Sequence, residues 1–272
     1  MNIFIIGDLH GQVSPIKNFY QNFIKNTQRE SEENWIICLG DFGALYSFDY
    51  RDYNFKKALS NYPFKYFVIR GNHEERASNR AKVEPDLWQS TTCFENTCLY
   101  QPSFPKIYYA LDEGGVYNIN GNKSLIIPGA YSVDKFYRQL YGRAWFPDEQ
   151  MSLFEMEDLE RAVKGQKFDF VFSHTCPFRF MPTDLFLGFV DQSTVDNSME
   201  RWMDRLLSKI DWKVWCWGHF HDNRIEAPYC EMFFSDVQNL EDVKNRWEKY
   251  SQTSKLDCGL LMSPKMKQAF ED

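Results

Sequence analysis

Five short apolar segments of this 272-residue chain each end in a polar motif. Apolar runs of this length, rich in Ile, Val, Phe and Trp, are typical of buried β-strands. The motifs behind them hold all five histidines of the sequence: Gly7-Asp8-Leu9-His10, Gly40-Asp41, Gly71-Asn72-His73-Glu74, His174, and Gly218-His219-Phe220-His221. Any fold of this chain must therefore bury these five strands and place the polar motif that follows each of them at a strand end.

The order of the elements narrows the fold class. Apolar runs predict strands over residues 2–6, 34–40, 65–71, 123–129, 168–174, 213–219 and 229–234. Helical spacing of apolar residues predicts helices over 15–27, 148–163, 193–210 and 235–250, with Ser193 as the N-cap of the third. Strand and helix alternate in the first half, whereas residues 107–129 are typical of strands and turns. The sequence thus predicts an α/β fold with a mixed sheet, or two packed sheets, flanked by helices.

The residues that directly follow the predicted strands carry side chains that can bind metal. In α/β sheets, ligands gather at the carboxyl ends of strands, so several exits can converge on one point. The side chains delivered there would be two Asp, one Asn and four or five His. These oxygen and nitrogen donors suit Mn, Fe or Zn, whereas Ca prefers oxygen alone.

Each motif also has an ordinary structural interpretation. Gly40-Asp41 alone is a turn, and Asn72 could cap a helix. His219 and His221 are two residues apart, so in a strand they could simply share one half-buried face. The occurrence of all five motifs, each behind a strand, favours a shared metal site over five unrelated features.

Composition limits the partners and the compartment. The formal net charge of −7 argues against non-specific binding of extended nucleic acid, which depends on Lys and Arg. The N-terminal apolar run is too short, and has no basic leader, for a signal peptide or membrane span, so we expect a cytoplasmic protein without a membrane partner. Seven scattered cysteines are expected to be reduced and mostly buried. Cys93 and Cys98 are closely spaced, but no second pair beside them indicates a zinc site.

The five motifs, taken together, resemble the signature of the calcineurin-like metallophosphoesterases. That signature runs D-x-H, G-D, G-N-H-[DE], a lone H and G-H-x-H, and the resemblance spans residues 3 to about 235. It implies two mixed β-sheets sandwiched by helices within a domain of residues 1–235, with residues 236–272 as a C-terminal helix and tail. It also implies two divalent metal ions, for which we favour Mn over Fe or Zn. The implied ligands of one ion are Asp8, His10, Asp41 and His221, and those of the other are Asp41, Asn72, His174 and His219.

The resemblance implies a phosphoric ester hydrolase. In this chemistry two divalent ions activate a bridging hydroxide for in-line attack at phosphorus, with no covalent enzyme intermediate. His73 would stay off the metals and act as general acid or stabilise the phosphoryl charge. The expected substrate is a small phosphorylated molecule or a short phosphodiester; a nuclease is the alternative. A non-catalytic scaffold is disfavoured because no ligand residue is missing, and the oligomeric state stays open.

One departure from the resemblance concerns arginine. The protein Ser/Thr phosphatase branch carries an Asp-Arg pair shortly after the second motif, and this chain has Phe42-Gly43-Ala44-Leu45 there. A phosphatase of that branch is therefore not expected, and an arginine that binds phosphate must come from elsewhere. The stretches GAYSVDKFYR, WFPDEQ and LGFVDQSTVD resemble a bacterial and phage group of the superfamily. The first offers Tyr131, Asp134, Lys135 and Arg138, followed by Arg143, as substrate contacts, or else forms an ordinary salt-bridged surface loop.

Residues 175–192 form a Pro- and Phe-rich segment directly after His174. It could be a wall of the substrate pocket or a hydrophobic connector packed on the core. We favour the wall.

Overall fold

A computed structural model describes residues 1–227 and 229–256 of the chain. Its strands are β1 (Asn2–Ile6), β2 (Asn34–Cys38), β3 (Phe64–Val68), β4 (Gln89–Cys93), β5 (Asn96–Tyr100), β6 (Ile107–Tyr109), β7 (Gly115–Ile119), β8 (Asn122–Ile127), β9 (Lys167–Ser173), β10 (Asp211–Trp217), β11 (Arg224–Ala227), β12 (Cys230–Met232) and β13 (Gln238–Asn239). Its α-helices are α1 (Ser14–Phe19), α2 (Tyr50–Leu59), α3 (Ala77–Val83), α4 (Lys135–Leu140), α5 (Leu153–Val163), α6 (Ser198–Leu206) and α7 (Leu240–Leu256). Each strand predicted from the sequence is present, with its ends within three residues of the predicted ones.

Two mixed sheets form the centre of the molecule. The first has the order β13-β1-β2-β3-β6-β5-β4, and its four middle strands β1, β2, β3 and β6 run parallel. The second has the order β11-β12-β10-β9-β8-β7, with β12, β10, β9 and β8 parallel. This arrangement is the predicted pair of mixed sheets flanked by helices.

The alternation of side chains along the strands explains the layers. Ile3 and Ile5 of β1 face a core shared with Phe170 and Phe172 of β9, so this core lies between the sheets. Phe4 and Ile6 point to the opposite face, where the first sheet packs on the helices that follow β1 and β2. The outer face of the second sheet is covered by α5 and α6. Strands whose two faces are both buried read as continuous apolar runs, which is why they were predictable.

Helix boundaries follow from capping. Ser152 begins α5 with a capping box, in which its side chain accepts from the Glu155 amide and Glu155 accepts from the Ser152 amide. The predicted start of the third helix at Ser193 is wrong, because α6 begins at Ser198. Asp191 instead caps a short 3-10 turn by accepting from the Ser193 amide at 3.0 Å. A local side-chain bond has therefore replaced the first turn of the predicted helix.

The predicted C-terminal helix begins later than expected. Gln238 and Asn239 form β13, which pairs antiparallel with β1, and α7 then continues to Leu256. Leu240 and Val243 are buried in the core between the sheets. Within the described residues, no helix combines the length and the apolar composition needed to cross a membrane. The remainder of the predicted tail, residues 257–272, lies outside the described part of the chain.

The expectation of reduced cysteines is wrong for one pair. Cys93 and Cys98 form a disulfide across the β4–β5 hairpin. The turn residues Phe94 and Glu95 both have positive φ, 52° and 65°. Tight turns of this conformation usually carry Asn, Asp or Gly, so no sequence signal marks the hairpin that brings the two thiols together. Cys38, Cys176, Cys216 and Cys230 are free and buried, as expected, and Cys258 lies outside the described residues.

Candidate metal centre and active site

The polar motifs meet where the carboxyl ends of the parallel strands of both sheets come together. Asp8, Asp41 and Asn72 follow β1, β2 and β3 of the first sheet, and His174 and His219 follow β9 and β10 of the second. The parallel pairing of these strands makes their exits neighbours. The structure therefore brings the seven residues expected to bind metal into one place.

Unusual backbone conformations direct four of these side chains inward. His10, Asp41, His219 and His221 have φ values of 46°, 46°, 69° and 56°, in the left-handed region that non-glycine residues rarely adopt. Such strain persists where surrounding contacts hold it, and it is concentrated at functional sites. One such contact joins the first two exits, because the His10 amide donates to the Asp41 carbonyl at 2.7 Å.

Two glycines are required by close packing around the site. A Cβ atom at Gly40 would lie 2.0 Å from Nδ1 of His174, and Gly40 also has a φ of +106°. A Cβ atom at Gly71 would lie 2.0 Å from Oδ1 of Asp41. Any larger residue would displace a side chain of the site, so these glycines permit the convergence.

The first group of donors surrounds His10. Its Nε2 lies 2.9 Å from Nε2 of His221 and 3.8 Å from Oδ2 of Asp41. Asp8, His10 and His221 each offer an atom within reach of a common ion. Oδ2 of Asp8 accepts from the His219 amide at 2.9 Å, while the buried Oδ1 has no hydrogen-bond partner in the described structure. A buried carboxylate oxygen without a partner is costly unless a cation is bound.

The second group surrounds Asn72. Its Oδ1 lies 2.8 Å from Nε2 of His174 and 3.1 Å from Nδ1 of His219. Nε2 of His174 is also 3.6 Å from Oδ1 of Asp41. Asp41 thus contributes one carboxylate oxygen toward each group.

The protonation state of His174 supports a cation in the second group. Burial lowers the pKa of His174, which favours the neutral ring. Nδ1 lies 2.7 Å from the Leu39 carbonyl and must donate to it, which leaves a lone pair on Nε2. That lone pair faces the Oδ1 oxygen of Asn72, so two acceptors oppose each other. Burial, followed by repulsion from Asp41, likewise raises the pKa of Asp8, since a second negative charge is unfavourable there without a cation. The residues present therefore fit divalent metal, and the nitrogen and oxygen donors suit Mn, Fe or Zn.

His73 connects the metal-binding residues with an adjoining cavity. Its amide donates to Oδ1 of Asp41 at 2.8 Å, and its ring Nδ1 lies 3.8 Å from Oδ2 of the same carboxylate. His73, His10 and Asp41 also form a group within reach of a common ion. The ring lines a cavity of about 730 Å³ that His10, His221 and Arg138 line as well.

Arg138 on α4 is the arginine of this cavity that lies beside His73. Its Nε donates to both oxygens of Asp134 at 2.8 and 2.7 Å, and Nη1 donates to the Tyr46 hydroxyl at 2.9 Å. Nη2 lies 3.1 Å from each ring nitrogen of His73. Arg138 is buried, so its guanidinium is held in one orientation beside His73.

The other expected substrate contacts do not line this cavity. Lys135 places Nζ 4.4 Å from the centroid of the Trp145 ring and 5.9 Å from that of Tyr131, and Arg143 lies over Tyr137. The lining of the cavity also includes polar residues that no sequence motif marked: Gln12, Tyr46, Ser47, Arg51 and Asp52. No motif marked them, because each comes from a loop or helix without a recognisable pattern.

Residues 175–192 do not line the cavity either. Phe180, Met181 and Leu185 pack against the core outside the second sheet. Asp184 forms an ion pair with Arg224 at 2.9 Å. The geometry therefore favours the hydrophobic connector over the pocket wall for this segment.

Comparison with known proteins identifies the family. The family model described as calcineurin-like phosphoesterase matches residues 1–223, which include all five motifs. The chain belongs to the calcineurin-like phosphoesterase family. This phosphoesterase is accordingly a metal-dependent hydrolase of phosphoric esters. No curated protein matches the sequence of this phosphoesterase. The crystal structure of the phosphopantetheinyl hydrolase from Mycobacterium tuberculosis aligns with 91% of this chain and 92% of that chain, at 14% identity and a TM-score of 0.39.

Proposed function

We propose that this phosphoesterase holds two divalent metal ions and hydrolyses small phosphate monoesters or short phosphodiesters. Asp8, His10, Asp41 and His221 would hold one ion. Asp41, Asn72, His174 and His219 would hold the other, and Asp41 would bridge them. The observation that carries the proposal is the convergence of seven donors in two groups that share Asp41.

Two bound ions in such a site activate water as a nucleophile and neutralise the charge of attacking and leaving oxygens. Asp41 would orient both groups, because its two oxygens face different histidines. The His73 amide holds this carboxylate in place. His10 and His221 lie at the cavity wall, so substrate would approach the metals from that side.

Arg138 and His73 would act on the substrate from the same cavity. The two donors on Nη1 of Arg138 are directed to the Tyr46 hydroxyl and the Ala144 carbonyl, and Nε is directed to Asp134. Only the Nη2 edge faces His73 and the cavity, where it can donate to a phosphoryl oxygen. His73 would protonate the leaving oxygen or stabilise charge on the phosphoryl group.

The size of the cavity and the charge of the protein favour a small substrate. A volume of about 730 Å³ is in the range of small-molecule sites. The net charge of −7 disfavours extended nucleic acid. Mn is the favoured metal, with Fe and Zn as the alternatives.

Metal reconstitution of the purified protein tests the proposal. The protein is stripped of metal, titrated with Mn²⁺, Fe²⁺, Zn²⁺ or Ni²⁺, and assayed with p-nitrophenyl phosphate, bis-p-nitrophenyl phosphate and a short single-stranded oligonucleotide. We expect two bound Mn²⁺ per chain and hydrolysis of at least one of the two small esters. Absence of metal binding and of hydrolysis with all four metals would overturn the proposal. Cleavage of the oligonucleotide alone would replace it with the nuclease alternative.

A further inference from the structure

Ser132 and Glu149 form a buried chain of hydrogen bonds that ends on Asn72. Ser132 lies in the GAYSVD stretch and Glu149 in the WFPDEQ stretch, and no sequence motif marks either residue. Nδ2 of Asn72 lies 2.8 Å from the Ser132 hydroxyl, and that hydroxyl lies 2.6 Å from Oε2 of Glu149. The Ser132 amide donates to Oε1 of Glu149 at 3.0 Å. Both residues are at most 3% exposed, so no solvent competes for these bonds.

The donor and acceptor roles along these hydrogen bonds are fixed. An ionised carboxylate can only accept, so Glu149 takes the single hydrogen of the Ser132 hydroxyl. The hydroxyl oxygen then presents only lone pairs to Asn72, which must turn its NH₂ group toward Ser132. The Oδ1 oxygen of Asn72 is thereby directed toward His174 and His219.

The opposite amide orientation would otherwise be favourable. His174 presents a lone pair on Nε2 at 2.8 Å from the Asn72 side chain. An NH₂ group turned toward it would form an ordinary hydrogen bond, but it would remove the only atom of Asn72 that can bind a metal. The orientation seen here places the Asn72 oxygen against the lone pair of His174, and the hydrogen bonds of Ser132 and Glu149 help to offset this cost.

Glu149 is itself fixed to the short segment that joins β3 to Asn72. Nη1 of Arg70 donates to the Glu149 carbonyl at 2.5 Å, and the Arg70 carbonyl accepts from the Gly129 amide at 2.8 Å. Arg70 is buried and pairs with Asp112 at 3.3 Å. The end of β3 and the segments after β8 and before α5 are therefore tied together around Asn72.

We propose that Ser132 and Glu149 are positioning residues that hold the Asn72 amide in its metal-binding orientation. The inference rests on the proposed function, because it concerns the second ion of the dinuclear site. The first ion, with ligands Asp8, His10, Asp41 and His221, does not use Asn72. Loss of the hydrogen bonds made by Ser132 and Glu149 should therefore weaken one of the two metal sites and leave the other unchanged.

Calorimetric titration of the metal-free protein with Mn²⁺, together with elemental analysis after dialysis, tests this inference without an activity assay. Ser132→Ala removes the acceptor for Asn72, and Glu149→Gln places an NH₂ group against either the Ser132 amide or its hydroxyl. For both we expect one Mn²⁺ bound as in the wild type and the second bound about 10- to 100-fold more weakly. Asp148→Asn is the matched control: it removes a neighbouring charge that pairs with Arg76 and Asn79. Its two affinities should match those of the wild type.

A double-mutant cycle separates orientation from general loss of structure. In Asn72→Asp both side-chain atoms are oxygens, so the orientation of the group no longer matters. Ser132→Ala should then change the second affinity by less than about threefold in the Asn72→Asp background. An equal loss in both backgrounds would overturn the inference. So would unchanged affinities in a folded Ser132→Ala variant, or a loss in Asp148→Asn as large as in Glu149→Gln.

The two proposals fail in different ways. A wild-type protein that never binds a second Mn²⁺ overturns the dinuclear site, and the positioning role with it. A wild type that binds two ions, with variants that do the same at equal affinity, overturns only the positioning role. If Glu149→Gln does not fold by circular dichroism, Ser132→Ala and the cycle decide the question alone.

Discussion

Nη2 of Arg138 lies 3.1 Å from both ring nitrogens of His73, and the two residues are 65 positions apart in the chain. Asp134, one helical turn before Arg138, binds its Nε and lies 3.9 Å from Nε2 of His73. A carboxylate and a guanidinium are thus delivered to His73 by α4 and its N-cap residue, although residues 42–45, directly after Gly40-Asp41, contain neither. Under the proposed function, Arg138 of this helix would supply the phosphate-binding arginine that residues 42–45 lack.

Replacement of Arg138 should reduce catalysis without releasing metal. We expect Arg138→Ala to lower kcat/KM by about 100- to 1000-fold, because a fixed donor to the phosphoryl oxygens is lost. Arg138→Lys keeps the charge but not the planar guanidinium, so its kcat/KM should lie between those of the wild type and Arg138→Ala. Steady-state kinetics and elemental analysis measure both effects. Arg143→Ala is the control, since Arg143 lies over Tyr137 outside the cavity, and it should stay within about twofold of the wild type. Comparable losses in Arg138→Ala and Arg143→Ala would contradict the assignment.

His73 and Asp41 should differ in their effect on metal content. The amide of His73, not its ring, holds Asp41, so His73→Ala keeps that bond. We expect His73→Ala to retain two ions per chain while kcat falls by about 100- to 10,000-fold. Asp41→Asn should weaken both ions, because its two oxygens face different groups. Equal metal loss in the two variants would mean that His73 is a ligand, as its position with His10 and Asp41 permits.

Glu200 should make the protein less stable as the pH rises. Its Oε1 accepts from the Thr175 hydroxyl at 2.9 Å, Oε2 has no hydrogen-bond partner in the described structure, and burial raises the pKa of Glu200 to about 7. Asp196 is the nearby charge that adds to this shift. In the unfolded chain the pKa returns to about 4.5. Between these values the folded state keeps a proton that the unfolded state releases, so the free energy of unfolding falls with rising pH.

Above pH 7, ionisation of the buried Glu200 lowers the free energy of unfolding by on the order of 3 kcal/mol relative to pH values below 4.5. Glu200→Gln should remove it, so the variant should be more stable than the wild type at pH 8 and nearly equal at pH 4.5. Urea unfolding of both metal-free proteins across this range gives the difference directly. Parallel stability curves would show that Glu200 does not titrate in this window.

The Cys93–Cys98 disulfide should stabilise the fold without affecting catalysis. Closing a loop of this size contributes about 2 kcal/mol in the chain-entropy account. The hairpin tip shares a cavity with Met1, Glu33 and Lys65, which lie at the starts of β1, β2 and β3, opposite the metal-binding end. We expect Cys93→Ala/Cys98→Ala to lower the free energy of unfolding by about that amount and to leave kcat/KM unchanged. Alkylation and mass spectrometry before and after reduction should show that this pair is protected. A fall in kcat/KM under conditions where the variant is fully folded would contradict this separation.

The fold was predictable where the physical signal was local. The central parallel strands are largely buried on both faces, so each appears as an apolar run with a glycine or polar residue at its end. Hairpin β4–β5 escaped prediction because Phe94 and Glu95 adopt a turn usually made by Asn or Gly, and its strands carry polar residues such as Gln89 and Thr92. The start of α6 escaped because Asp191 stabilises a competing turn.

The sequence by itself determined which residues meet at the candidate metal centre. Asp8, His10, Asp41, Asn72, His174, His219 and His221 each sit within a few residues of a strand end, and parallel strands place their ends side by side. Only the tertiary structure decided which charged residues join them. Arg138 and Arg143 are equivalent in sequence terms, yet one faces His73 and the other faces Tyr137, because Arg138 lies on α4 and Arg143 lies in the loop that follows it. The orientation of Asn72 likewise depends on Ser132 and Glu149, 60 and 77 residues further along the chain. Contacts at that separation leave no periodic or local pattern, so packing alone establishes them.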